Sequence, residues 1–198
     1  MVFKRHKQYR LPGYDYSSAG AYFITICTRG RQPHLGAIHD GEMHYSAIGR
    51  FVVDNINGIE DRLPHLQVNE WVVMPDHIHL VLTIHPRCEG YDGLPEHVLM
   101  AERAAAKRVP TVWETGLRPL VAKSVESFIN HFKGRVTRWC GLWDHREFGW
   151  QARFHDRIIR DLEEYRAVVA YVQNNVSAWD AIYARPDEPF VLPSVPNP

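Results

Sequence analysis

Nowhere does the chain approach the roughly 20 consecutive apolar residues that a membrane-spanning helix needs, so no membrane partner is expected. Its basic opening, MVFKRHKQYRLPGYDY, lacks the apolar core of a secretory signal. A cytoplasmic location is therefore expected. Cysteine is scarce: Cys27, Cys88 and Cys140 are odd in number, widely spaced and form no CxxC pair. That excludes a disulfide framework and a thiolate zinc site, and it fits free thiols in a reducing compartment. Internal repeats are missing, as is a glycine-rich phosphate loop of either familiar spacing. Net charge is lacking too, since 23 Lys and Arg balance 23 Asp and Glu. A global basic field of the kind many nucleic-acid binders carry is thus ruled out.

What is present is local. Lys4, Arg5, Lys7 and Arg10 form a run without an acid, and Lys123, Lys133, Arg135 and Arg138 face a single Glu126 in their segment. Such patches can hold phosphates whatever the overall balance, although charge runs also serve as solvated faces. Twelve histidines are a richer signal, because imidazole is both a common metal ligand and an acid–base group. With 198 residues, 45% of them hydrophobic, the chain is long enough for one domain with a real core.

The order of elements follows from periodicity. Residues 1–20 read as a basic and aromatic arm, 21–180 as one domain, and 181–198 as an extended proline-rich tail. Ala21–Thr28 is dense in β-branched and aromatic residues and predicts a strand. HLGAIHD and EMHYS, joined at Asp40-Gly41, predict a hairpin. Ile48, Phe51, Val52, Ile56 and Ile59 fall on one helical face that ends before Leu63-Pro64. Strands follow at Val68–Met74 and His77–Ile84, separated by Pro75-Asp76. Segment 85–119 loses periodicity and reads as an irregular excursion, with a short helix around 96–108. A basic amphipathic helix is expected over Ser124–Trp139, an irregular aromatic stretch over Trp139–Phe154, and a last helix from about Asp161 to Val176. The buried stripe of that last helix is expected to be Leu162, Tyr165, Val169, Val172 and Val176. This order predicts an α+β sandwich, a mainly antiparallel central sheet carrying helices on one face.

Two constellations bear chemistry. In Met74-Pro75-Asp76-His77-Ile78-His79-Leu80, residues two apart on a strand point the same way, so His77 and His79 project together. Two imidazoles on a rigid strand can grip one divalent ion; a pair of surface histidines would carry the same pattern. On the last helix Asn175 follows Tyr171 by four, which makes them neighbours one turn apart. A half-buried packing tyrosine and a helix-terminal asparagine are the alternatives there.

Taken together, these stretches resemble the HUH single-tyrosine transposases, and most closely the REP-associated tyrosine transposases. LPGYDYSSAGAYFITICT is similar to the family's opening, EWVVMPDHIHLVL to its metal strand and SFINHFKGRVT to its basic helix. WQARFHDRIIRDLEEYRAVVAYVQNN is similar to its tyrosine helix. The four ordered blocks span roughly residues 5–180, with 85–119 unmatched. One departure is Val176, where the family commonly has proline after its asparagine pair.

The resemblance implies a ferredoxin-like fold with His77, His79 and Asn175 as metal ligands, Mn2+ or Mg2+ as the ion, and Tyr171 as nucleophile. It implies cleavage and rejoining of single-stranded or hairpin DNA through a 5′-phosphotyrosine, with no nucleotide cofactor, by a monomer or a homodimer. Arg5, Lys7, Arg10, Lys133 and Arg135 are the candidate DNA contacts. Two other readings keep parts of this picture. One is a hairpin DNA-binding protein of the same fold that has lost cleavage or been domesticated. The other is a metal hydrolase that adds Asp76 or Asp156 to the two histidines.

Overall fold

A computed structural model describes residues 18–85 and 124–179. Most of the expected arm, nearly all of the 85–119 excursion with its helix, the tail, Cys88, Arg5, Lys7 and Arg10 lie outside the described residues. In chain order the elements are β1 (Gly20–Cys27), β2 (Gly36–His39), β3 (Glu42–Tyr45), α1 (Ala47–Asn57), α2 (Ile59–Arg62), β4 (Leu66–Val73) and β5 (His77–Ile84). They are followed by α3 (Val125–Leu142), β6 (His155–Ile159) and α4 (Leu162–Gln173).

Four strands form one sheet in the order β4-β5-β1-β6, and every neighbouring pair is antiparallel. The path β1-α1-β4 leaves a gap that β5 fills, and β5-α3-β6 leaves one that β1 fills. This is the ferredoxin-like arrangement of an α+β sandwich. β1 and β5 are the two central strands and are buried along their whole length. Hairpin β2–β3 stands apart as a two-stranded sheet, turning at Asp40 (φ 52°) and Gly41 (φ 75°), as an Asp-Gly turn requires.

The main core lies on one face of the sheet. Tyr22, Ile24 and Ile26 of β1 and Ile78, Leu80 and Leu82 of β5 meet Val52 and Ile56 of α1 and Phe128, Ile129, Phe132 and Val136 of α3. Side-chain caps start these helices, Ser46 Oγ accepting from Gly49 N at 3.0 Å and Ser124 Oγ from Ser127 N at 3.1 Å. Gly49 also sits against the strand entry, where a Cβ would overlap the Leu35 carbonyl oxygen. Gly49→Ala is therefore expected to lower stability by about 3 kcal/mol, through backbone overpacking. Urea unfolding checks this, and a loss under about 0.5 kcal/mol would mean that the contact relaxes freely.

The structure corrects three expectations. The helices do not share one face: α4 packs on the side of the sheet opposite α1 and α3, over Ala21, Phe23 and Val81. Strand β6 occupies a stretch where no strand was expected, because a five-residue edge strand carries little periodicity of its own. The last helix ends at Gln173, and its buried positions are Glu164, Val168 and Val172, while Leu162 is exposed. The cause of that shift is local. Asp161 Oδ1 caps the helix by accepting from Glu164 N at 2.7 Å, and the Glu164 carboxylate turns inward to accept from Arg160 N and pair with Arg157. A charged residue thereby takes one of the buried positions of this helix, where the expected stripe was wholly apolar apart from Tyr165.

Candidate active site

The register between β1 and β5 sets the site. Thr25 faces His79 and Cys27 faces His77, while Phe23 faces Val81. Partners directly opposite in an antiparallel pair point the same way. Phe23, Thr25, His77 and His79 therefore share the face that α4 crosses. Tyr171 of α4 places its Oη 3.4 Å from His79 Nε2, although the two residues are 92 apart in sequence. Phe23 fixes both rings, stacking on His79 at 5.1 Å between centroids and meeting Tyr171 edge-on at 6.0 Å. Trp179 lies over His77 with ring centroids 6.2 Å apart.

Each imidazole is held by one nitrogen and presents the other. His77 Nδ1 is 2.6 Å from Asp76 Oδ1, and His79 Nδ1 is 2.8 Å from Thr25 Oγ1. The two Nε2 atoms converge to 3.1 Å. Both rings are almost wholly buried, and that burial is the main reason their pKa values fall below the ordinary range; His79, which His77 and Arg31 depress further, falls furthest. Neutral imidazoles, each with an orienting partner behind it, are what metal ligation asks for.

Asn175 lies two residues beyond α4 and is buried, with Nδ2 unpartnered. A carboxamide can be turned end for end, so this orphaned polar atom marks a place where Oδ1 could serve as a donor. The same side chain acts on the Tyr171 phenol, lowering its pKa. Two imidazoles and one carboxamide fit a divalent ion, and the mixed nitrogen and oxygen set suits manganese better than magnesium. Among the described residues no group of three His, Cys, Asp or Glu is arranged to hold a metal. Asp76 is spoken for by His77 and Arg31. Asp156 is paired in register with Ile24 and so lies on the other face of the sheet from His79. Neither carboxylate is placed as the hydrolase reading needs.

Burial raises the pKa of Tyr171, with Asn175 and the charge of Arg31 working against that rise. Arg31 sits in the turn after β1, and its guanidinium reaches Asp76 Oδ2 at 3.4 Å. Sequence reasoning missed Phe23, Thr25 and Arg31. Two-residue alternation could have put Phe23 and Thr25 on one face, but only the pairing with β5 says which face that is.

The proposed DNA contacts on α3 separate. Arg135 is exposed. Lys133 instead turns inward and donates to the carbonyls of Gln151 at 2.7 Å and Arg153 at 3.1 Å, with burial pulling its pKa down to about 8. Its ammonium ties α3 to the 151–153 segment.

Two buried neutral histidines make stability pH-dependent. Their folded pKa values lie below the unfolded value of 6.5, so this contribution is complete above 6.5 and drains as pH falls below it. Both histidines are therefore expected to make the metal-free protein less stable as pH falls through that window. Urea midpoints of the parent should drop between about pH 7 and about pH 5.5, and His79→Gln should flatten the drop. Equal slopes in both proteins would remove His79 as its source.

No family model matches the sequence. Over 171 residues the chain is 29% identical to an uncharacterized protein of Haemophilus influenzae, a match covering 86% of this chain and 88% of the relative. Among solved structures, a REP-associated tyrosine transposase bound to a REP hairpin aligns over 94% of this chain and 89% of its own, at 21% identity and a TM-score of 0.49. A proposed transposase from Deinococcus radiodurans R1 aligns over 84% of this chain and 96% of its own, at 17% identity and a TM-score of 0.43. No helix among the described residues is long and apolar enough to cross a membrane.

Proposed function

We propose that this chain is a metal-dependent single-strand DNA nuclease-transposase of the REP-associated tyrosine type, cutting through a covalent bond to Tyr171. The observation that carries the reading is the meeting of Tyr171 Oη with His79 Nε2 at 3.4 Å, beside His77 Nε2 at 3.1 Å from the same atom. A hydroxyl next to two converging imidazoles is unneeded for packing and apt for phosphoryl transfer.

On this reading His77, His79 and Asn175 hold Mn2+ or Mg2+. The ion would draw charge from the non-bridging oxygens of the scissile phosphate and so favour its attack. The chain's own part is positioning. Phe23 and α4 hold the phenol in line, while Asn175 and Arg31 favour the phenolate of a group whose ordinary pKa is about 10. Attack by Tyr171 Oη forms an O–P bond and breaks the bond from phosphorus to the 3′ oxygen. The departing 3′ oxygen takes up a proton, and the 5′ phosphate stays on tyrosine. Phosphodiester energy is retained in that bond, so no nucleotide cofactor is needed and a second 3′-hydroxyl can reverse the step.

Incubation with labelled hairpin DNA and manganese, followed by denaturing electrophoresis, tests the proposal. A protein–DNA species that survives denaturation is expected. Hairpin binding without such a species would favour the binding-only alternative, and free cleaved ends without it would favour hydrolysis.

A further inference from the structure

Arg31 does more than its place in a surface turn requires. The turn is bolted to the residue that precedes the histidine strand: Thr28 N donates to Asp76 O at 2.9 Å, Thr28 Oγ1 also reaches that oxygen at 2.9 Å, and Leu35 N donates to Pro75 O at 2.9 Å. Within it Arg31 has φ 55°, a left-handed backbone that a non-glycine residue adopts only under constraint. Such strain gathers at ligand-binding sites. The result is a guanidinium held at the rim, 32% exposed along its side chain, on a carboxylate that is only 4% exposed. The contact to Asp76 Oδ2 is long, at 3.4 Å, whereas Asp76 Oδ1 is committed to His77 Nδ1 at 2.6 Å. Arg31 could therefore leave Asp76 without releasing His77.

The charges at the site point the same way. Arg31 acts electrostatically on His77, His79 and Tyr171 alike. Of the side chains named at the site, Arg31 is the one that brings a guanidinium. A phosphodiester entering between Tyr171 and the histidines brings a negative charge, and a planar guanidinium is the side chain best shaped to take two of its oxygens.

We propose that Arg31 grips the scissile phosphate of a single DNA strand, its guanidinium passing from Asp76 Oδ2 to the non-bridging phosphate oxygens as the strand enters. This rests on the nuclease-transposase reading above. A merely structural Arg31 would act through Asp76 on His77, and the two roles separate experimentally.

The background is Tyr171→Phe, so that binding is read without cleavage, and the probe is an oligothymidylate of about twelve nucleotides. Arg31→Ala should flatten the plot of log affinity against log salt by about 0.7, the loss of one single-strand phosphate contact. Manganese affinity of the DNA-free protein, read from the electron paramagnetic resonance of free Mn2+, should stay unchanged. Arg31→Lys keeps the charge and loses the fork, so it should restore the slope while adduct formation in the Tyr171-containing protein stays slow. An unchanged slope in Arg31→Ala overturns the proposal, as does lower manganese affinity with unaltered DNA binding. If the Tyr171-containing protein forms adducts while Arg31→Ala keeps the full slope, only the role of Arg31 falls. If the Tyr171→Phe background fails to bind the oligothymidylate, both readings fall together.

Discussion

Tyr171→Phe is expected to abolish both strand cleavage and the covalent DNA adduct while leaving folding, metal binding and DNA binding in place. The substitution removes one oxygen and keeps the ring. Packing against Phe23 at 6.0 Å therefore survives, while the contact at 3.4 Å to His79 Nε2 and the interaction with Asn175 are lost. Half-buried Tyr165 belongs to the cluster under α4, and Tyr22 is wholly buried with its hydroxyl donating to Ser18 O at 2.7 Å. Neither offers a substitute nucleophile. Because a chemical group is deleted outright, the residual rate should be at least about a thousandfold below the parent, in keeping with the loss of an attacking residue. Digestion and mass spectrometry of the parent adduct should place the nucleotide on the peptide containing Tyr171. A nucleotide on Tyr165, or undiminished cleavage by the variant, would falsify the assignment.

The second large effect belongs to the paired histidines. Replacing both His77 and His79 by alanine should remove manganese binding and cleavage together, because two of the three proposed donors disappear at once. Asn175→Ala should do less, since water can take the place of one neutral amide ligand. Manganese affinity by calorimetry and adduct yield on hairpin DNA are the two readouts. Cleavage by the double variant at the parent's rate would sink the metal site. The double variant is also expected to fold. The rings sit on the face of β5 away from the main core of Ile78, Leu80 and Leu82, and removing them takes away the pH-sensitive burial described above.

Side-chain period carries a long way in this protein. The strand at Ala21–Thr28 and the one at His77–Ile84 were legible because β-branched and aromatic residues crowd them, and the observed strands are Gly20–Cys27 and His77–Ile84. Ser46 and Ser124 were readable as helix starts because a hydroxyl before an apolar period caps free N–H groups. That His77 and His79 point the same way, and that Tyr171 and Asn175 are neighbours, needed only local geometry. Their resemblance to a transposase family rests on the same four blocks of sequence.

What sequence could not decide is everything that depends on pairing at long range. Thr25 and His79 are 54 residues apart, and only the β1–β5 register makes the hydroxyl the partner of that ring. Glu164 and Lys133 read as surface charges by type, yet tertiary contacts with Arg157 and with the carbonyls of Gln151 and Arg153 draw them inward. Arg31 looked like one more loop arginine until the turn carrying it was seen bolted to Asp76. Periodicity is a property of neighbouring residues, so it determined most of the elements and that His77 and His79 share a face. Which side chains meet is set by register and by the face each helix covers, and only the folded chain determines those.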